Sequence, residues 1–451
     1  MQGLIIKMKK LSLVEVISMA VGTMIGASIF SVFGLGAQVA GHNLPEAFLL
    51  SGIYALAVAY SYAILGSKII SNAGPIGYIL KGLGDNLVTG ALSILLWMSY
   101  IVSISLLAKG FSGYFLPLFH LDTTTFNVAL VEAVLISFFV GLNFFGSKAV
   151  GKSELFIVIA KLTILFVFIV GGAWTIHADY IKPTFDHNHT SSMINASVIF
   201  FLSYIGFGLI TNASENIKNP KRNIPLAIYS SIIIVIIIYV LISVVTLGNL
   251  SLHKVVEAKE NALAMAAKPF LGNFGFLLIS IGALLSISSA LNASIFGGAN
   301  IAYSLAKDGE LPEFIERKIW FKSSEGLYIS AGLGFLFALI FNLGDIATIT
   351  SSVFTVIYLF VIVSHIKLRK KYGGKLILLS FNFMLLSAVF IALLLYQWRS
   401  HRHAFYGTII TFTAAIIVEC LYRLIRNRKL TEHYKKQFDD KPITTTSGGG
   451  N

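Results

Sequence analysis

Two stretches of this very apolar chain carry residues that a buried helix rarely tolerates. GTMIGASIF (residues 22–30) is followed by Gly34 and Gly36, and FFLSYIGFGLITNASENIKNPKRNIP (residues 200–225) sets Gly206 and Gly208 in an otherwise apolar run. Glycine weakens a helix where no water is at hand to take up exposed amides. Gly22 and Gly26 also form a small-xxx-small pair that lets a neighbouring helix approach, so the first stretch alone reads either as packing or as a break. Paired Gly-interrupted segments at matching positions read as a buried binding site. An opened helix frees carbonyls at the end of its first half, which suit an ammonium or a cation, and amides at the start of its second, which suit a carboxylate. A free amino acid carries both groups on one carbon. Breaks over residues 25–28 and 204–208 are therefore expected to hold an amino acid backbone between Ile25, Gly26, Ala27 and Ser28 on one side and Phe201, Tyr204, Ile205, Gly206 and Phe207 on the other. The ligand's side chain is left to a shared pocket.

The second feature is Lys161, nine residues beyond Lys152 and so about 14 Å along its helix. That depth is near a bilayer midplane, where a Lys costs roughly 2.5–3.5 kcal/mol on insertion scales. Snorkelling to the surface is geometrically strained there, so Lys161 reads as a proton site. A protonated Lys161 needs three acceptors. Carbonyls at the first break, together with the hydroxyls of Ser286 and Ser289, are expected to provide them. Both serines lie on a stripe with Gly282, Ala293 and Gly297 that helix packing also explains. Losing the proton would release that clamp and so couple protonation to a conformational change. Lys109 reads as a snorkelling cation or one facing a water-filled vestibule, and Glu132 as a weaker candidate nearer the outer surface. Glu215, beside Lys218, Lys221 and Arg222, reads as an inner-surface ion pair that helps close a gate. His177, His187, His189, Asp179 and Asp186 match no metal template and are expected to be solvated, so no metal and no cofactor are expected. Asn188, His189 and Thr190 fit a glycosylation sequon, which matters only in a secretory pathway.

The elements that position these residues follow from composition. Of 451 residues 56% are hydrophobic and 12% charged, with a mean hydropathy of +0.80; a soluble domain carries about twice that charged share. Twelve apolar spans are expected, at 11–40, 43–66, 87–119, 126–146, 154–178, 191–213, 224–250, 270–305, 327–342, 345–368, 376–396 and 403–424. The first, third and eighth are too long for a straight crossing, so tilt or a break must absorb the excess. The basic start at Lys7, Lys9 and Lys10 lacks a cleavage site, so no signal peptide is expected. With a cytoplasmic N-terminus, inner loops and both termini hold 26 of the 34 Lys and Arg, an asymmetry that places both termini in the cytoplasm. The net charge of +13 is thereby a topology signal and not a nucleic-acid surface. A lone Cys420 excludes an intramolecular disulfide. Interfacial pieces are expected at 67–86 and 307–326, and residues 444–451 read as a disordered or appended end. The Gly-interrupted spans open two blocks of five, and an odd number per block forces opposite orientations. The units are then 1–180, 191–370, helices 11 and 12 over 375–426, and a cytoplasmic tail over 427–451.

With these residues in view, the sequence resembles the amino acid–polyamine–organocation superfamily, and within it the ApcT-type proton-coupled, broad-specificity amino acid transporters. The likeness is carried by VGTMIGASIF, the NAGPIGY loop at residues 72–78, Lys161 in the fifth span and SYIGFGLITNASENIKNPKRNIP. It implies an all-α membrane protein of twelve transmembrane helices with a leucine-transporter-like 5+5 inverted repeat and discontinuous helices 1 and 6. It also implies a plasma-membrane transporter and no enzyme, one that imports amino acids with protons by alternating access. A proton-independent amino acid or polyamine exchanger is the alternative. In such relatives the fifth-helix lysine faces carbonyls of the first helix and a serine of the eighth, which here implies Lys161 against Gly22, Ile25 and Ser286. Many members have Gly-x-Gly where this chain has Gly26, Ala27 and Ser28, and an acidic residue where it has Gly208. Those departures leave substrate choice open and make a polyamine or arginine antiporter less attractive.

Overall fold

The computed structural model describes residues 10–71, 73–143, 150–184, 186–307, 311, 313–317 and 325–426. Among them sixteen α-helices follow one another: α1 (Leu13–Ala27), α2 (Phe33–Ala40), α3 (Leu44–Lys68), α4 (Gly74–Leu83), α5 (Leu87–Leu118), α6 (Thr125–Asn143), α7 (Val150–Ala173), α8 (His187–Phe200), α9 (Leu209–Asn212), α10 (Pro220–Asn249), α11 (Leu252–Glu257), α12 (Ala262–Lys307), α13 (Glu325–Ile340), α14 (Leu343–Tyr372), α15 (Leu376–Ser400) and α16 (Arg402–Arg426). The described residues form no strand; Leu11 and Ile217 make an isolated bridge. Ten segments of the described residues are long and apolar enough to cross a membrane, while Leu13–Gly26 and Glu325–Ile340 are shorter. The chain is a multi-span helical membrane protein.

Three of the helices begin where a polar residue takes up orphan amides. Ser12 and Glu15 make a reciprocal capping box on α1, Asn86 accepts from the Thr89 amide on α5, and Asn342 does the same for Asp345 on α14. α3, α5, α10, α12 and α14 pack on one another around α1 and form the centre. α6, α7, α15 and α16 show outward faces of exposed Phe138, Phe156, Phe381 and Ile410, as rim helices in hydrocarbon must.

The overlong spans resolve in three ways. The first is split: α1 ends at Ala27, and α2 starts at Phe33 after a turn at residues 28–32. The break thus lies C-terminal to the expected 25–28. The third is one 32-residue helix, about 48 Å long, and must tilt. The eighth bends at Gly272, whose φ of +61° interrupts α12. The sixth span tightens where an opening was expected at 204–208. α8 passes into a 3-10 helix over Phe201–Gly208 and then into the short α9, because here the segment lies directly on α1. A methyl on Gly206 would come within 2.8 Å of the Met24 amide nitrogen.

The expected inner piece at 67–86 contains α4. The one at 307–326 falls mostly outside the described residues, as do the Asn72 end of the NAGPIGY loop and the tail at 427–451. On the face that carries Lys68, Lys218, Lys371 and Arg423, here the basic face, the Leu11 amide donates to the Asn216 carbonyl (2.7 Å) and the Lys218 amide to the Leu11 carbonyl (2.9 Å). The start of the first segment is thus tied to the end of the sixth. On the opposite face Phe48 stacks on Phe200 with centroids 3.7 Å apart and on Phe33 at 6.0 Å, joining α2, α3 and α8.

The Lys109 side chain keeps 20% of its surface exposed and has a charged partner. It pairs at 3.2 Å with Glu132 of α6, whose side chain is fully buried. Breaking such a pair from one side strands a charge, at about 3–5 kcal/mol. Lys109→Met should therefore lower the thermal unfolding midpoint of purified protein sharply. The double variant Lys109→Met/Glu132→Leu should recover most of that loss, and additive losses would contradict the pairing.

Candidate functional site

Lys161 sits on α7 with 2% of its surface exposed, and its ammonium donates a short hydrogen bond to the Gly22 carbonyl of α1. A helical carbonyl has a second lone pair to spare for this. The approach depends on small residues. A methyl on Gly22 would overlap Val158 of α7; one on Gly26 would lie 3.4 Å from the Lys161 Nζ and 3.1 Å from both the Ser286 carbonyl and Ala290 Cβ of α12. Gly22, Gly26, Lys161 and Ser286 therefore meet where α1, α7 and α12 join. Ser286 contributes its main chain to this junction; its hydroxyl is buried and makes no hydrogen bond with the described residues. Ile25 and Ser289 lie on the same two helices, Ile25 fully buried and Ser289 nearly so.

Near the end of α1 the Met24 carbonyl is capped by hydroxyls. The Ser28 hydroxyl folds back onto the Met24 carbonyl (2.8 Å), and the Tyr239 hydroxyl of α10 reaches the same carbonyl (2.7 Å) and Ser28 Oγ (3.0 Å). This capping carries the helix to Ala27 before the chain turns. Tyr204 donates to the Phe48 carbonyl (2.9 Å). Phe201 and Phe207 pack on Tyr358 of α14, each with centroids 5.7 Å apart, and Tyr62 of α3 meets Phe207 at 5.3 Å.

Beside this layer lies a cavity of about 120 Å³. Of the nine residues expected to bind ligand, Ile205 and Gly206 line it. Ile25, Gly26, Ser28, Phe201, Tyr204 and Phe207 do not; they are buried in packing around it. Ala27 closes α1. The cavity instead takes Thr23 and Met24 from α1, one turn before the break, with Tyr62, Tyr100, Ser103, Asn212, Ser294 and Tyr358. Its walls are mainly apolar with a few hydroxyl and amide groups and no Asp, Glu, Lys, Arg or His side chain, the make-up of a small-molecule site. Thr23 and Met24 fall within GTMIGASIF, so the sequence signal was one turn off. Tyr100 and Tyr358 carry no local signal, since only tertiary packing brings α5 and α14 to this point.

The remaining candidates are peripheral. Glu215 is exposed in a short 3-10 turn on the basic face. In the segment between α7 and α8, Asp186 caps α8 and pairs with His189 (2.7 Å), and Asp179 pairs with Lys182 (2.7 Å). Local hydrogen bonds from the His189 amide and ring hold the Asp186 carboxyl below its usual range.

Comparison with known proteins gives this arrangement a family. A sequence profile described as amino acid permease matches residues 11–418. An uncharacterized protein of Methanocaldococcus jannaschii is 61% identical over 95% of this chain and 98% of its own length. The inner membrane transport protein YbaT of Escherichia coli is 30% identical over 91% and 95%. The branched-chain amino acid permease BcaP of Bacillus subtilis is 26% identical over 67% and 68%. The chain belongs to the amino acid permease family of membrane transporters.

Proposed function

We propose that this protein imports amino acids of broad specificity together with protons, by alternating access. Amino acid transport follows from the family and from the relatives' activities. The proton is inferred from one observation: a nearly inaccessible ammonium on a rim-side helix, bonded to a main-chain carbonyl of the segment that breaks a turn later. A charged Lys161 favours the arrangement in which Gly22 is within reach. A neutral amine has less hold on it, so proton binding biases the position of α1. Gly22, Ile25, Ser286 and Ser289 surround the group whose protonation changes. The substrate's place is the cavity beside the 3-10 segment, with Ile205 and Gly206 in its wall and the residues at 25–28, Phe201, Tyr204 and Phe207 shaping it from behind. On this reading the basic face is cytoplasmic, the membrane is the plasma membrane, and residues 1–180 and 191–370 are inverted repeats.

In proteoliposomes with an alkaline lumen the protein should concentrate labelled neutral amino acids. Lys161→Ala should abolish that accumulation, which is read as the ratio of internal to external label. Concentrative uptake by the variant would defeat the coupling role. Gly206→Ala, which sets a methyl against the Met24 main chain, should weaken substrate binding about tenfold by displacing the cavity wall. Gly141→Ala, where a methyl meets nothing within 4 Å, should not; equilibrium binding of labelled substrate distinguishes the two.

A further inference from the structure

The cavity wall has one position where a side chain is missing and no neighbour has moved in. Along the 3-10 segment Phe201–Gly208 every third residue falls in one column. Leu202, Ile205 and Gly208 make such a column, and all three line the cavity. The first two fill their share of the wall with branched carbon, whereas the third leaves a gap. A methyl on Gly208 would meet only the Tyr358 hydroxyl and Tyr62 Cε1, both at 3.9 Å, which is ordinary contact distance. Both tyrosines also line the cavity, so the gap opens into it. Gly206 in the same segment is the opposite case, pressed onto Met24 of α1. Nor does the backbone ask for glycine at 208. Its φ of −60° and ψ of −28° are right-handed helical values that any L residue adopts. The surroundings keep the gap open. The Thr211 hydroxyl donates to the Gly208 carbonyl (2.7 Å), and the Tyr358 hydroxyl to the Ile205 carbonyl (3.3 Å). Tyr62 and Tyr358 stand edge to face with centroids 5.4 Å apart, and Phe207 stacks on Tyr358. Rings held from several sides do not fold in over the gap.

We propose that Gly208 is the specificity-determining residue of the cavity, its absent side chain leaving the room in which an amino acid's own neutral, apolar side chain lies beside Tyr62, Ile205 and Tyr358. On the reading that the cavity is the transport site, on which this inference rests, residue 208 and the ligand's side chain compete for the same space. Each carbon added at 208 therefore lowers the size of the largest side chain that the site takes. A charged side chain would lie there without a partner, since among the described residues the lining holds no charged group.

Equilibrium competition on the purified full-length protein tests it, with unlabelled alanine, leucine and lysine displacing labelled alanine. Gly208→Ala should lower the affinity for leucine relative to alanine about tenfold, the discrimination that one carbon makes in an apolar pocket. Gly208→Ser, of similar bulk and different polarity, should shift the ratio in the same direction. Ile205→Val removes a carbon from the neighbouring place in the column, and in the Gly208→Ala background it should restore much of the affinity for leucine. Lysine should displace the label far more weakly than leucine in the parent. An unchanged leucine-to-alanine ratio in both single variants, an equal loss of both ligands, a double variant no better than Gly208→Ala, or lysine competing as well as leucine would overturn the proposal. A parent that binds neither alanine nor leucine sinks the transport reading and this one with it. A parent that binds both, with a ratio indifferent to residue 208, sinks only the role of Gly208.

Discussion

A buried ammonium has to be surrounded by oxygen, and an α-helix ordinarily has none to offer sideways. Lys161 meets that constraint by reaching a carbonyl of α1 through a gap that only Gly22 and Gly26 leave open. Any side chain at either position would push α1 away from α7 or α12. The glycines that read as a packing pair and the lysine that reads as a proton site are thus parts of one arrangement, in which close packing exposes the acceptor. The central bundle, the split first segment and the tightened sixth segment are all arranged around this junction.

The two segments treat their glycines differently. In the first, the Ser28 and Tyr239 hydroxyls cap the Met24 carbonyl just before the helix ends and the chain turns. In the sixth, Gly206 lets the chain lie against the main chain of α1, and the helix narrows to 3-10 geometry without opening. Both solutions satisfy buried backbone groups inside the protein, as a membrane interior requires.

Much of this was legible in the residues themselves. Apolar length located the helices and depth marked Lys161 as buried, because both are properties of one helix at a time, whereas its pairing with Gly22 was implied by the family resemblance. What escaped depended on pairs far apart in the chain. The partner of Lys109 is Glu132 on the next helix, yet the helical register that brings them face to face is set by tertiary packing. Tyr239 lies 215 residues from the carbonyl it caps, and Tyr100, Asn212 and Tyr358 reach the cavity from three separate elements. The turn was placed early because the sequence shows where glycine weakens a helix, and the hydroxyl from α10 that meets the end of α1 leaves no local trace.

The bridge between Leu11 and the 216–218 segment is made by main-chain atoms alone. Its strength is therefore indifferent to which side chains stand at those positions; only an imino acid, lacking the N–H, severs it. The residue just ahead of the opening rod is thereby laced to the turn that follows α9 and leads into α10. Substitutions that change only the side chains at these positions therefore leave the lacing in place.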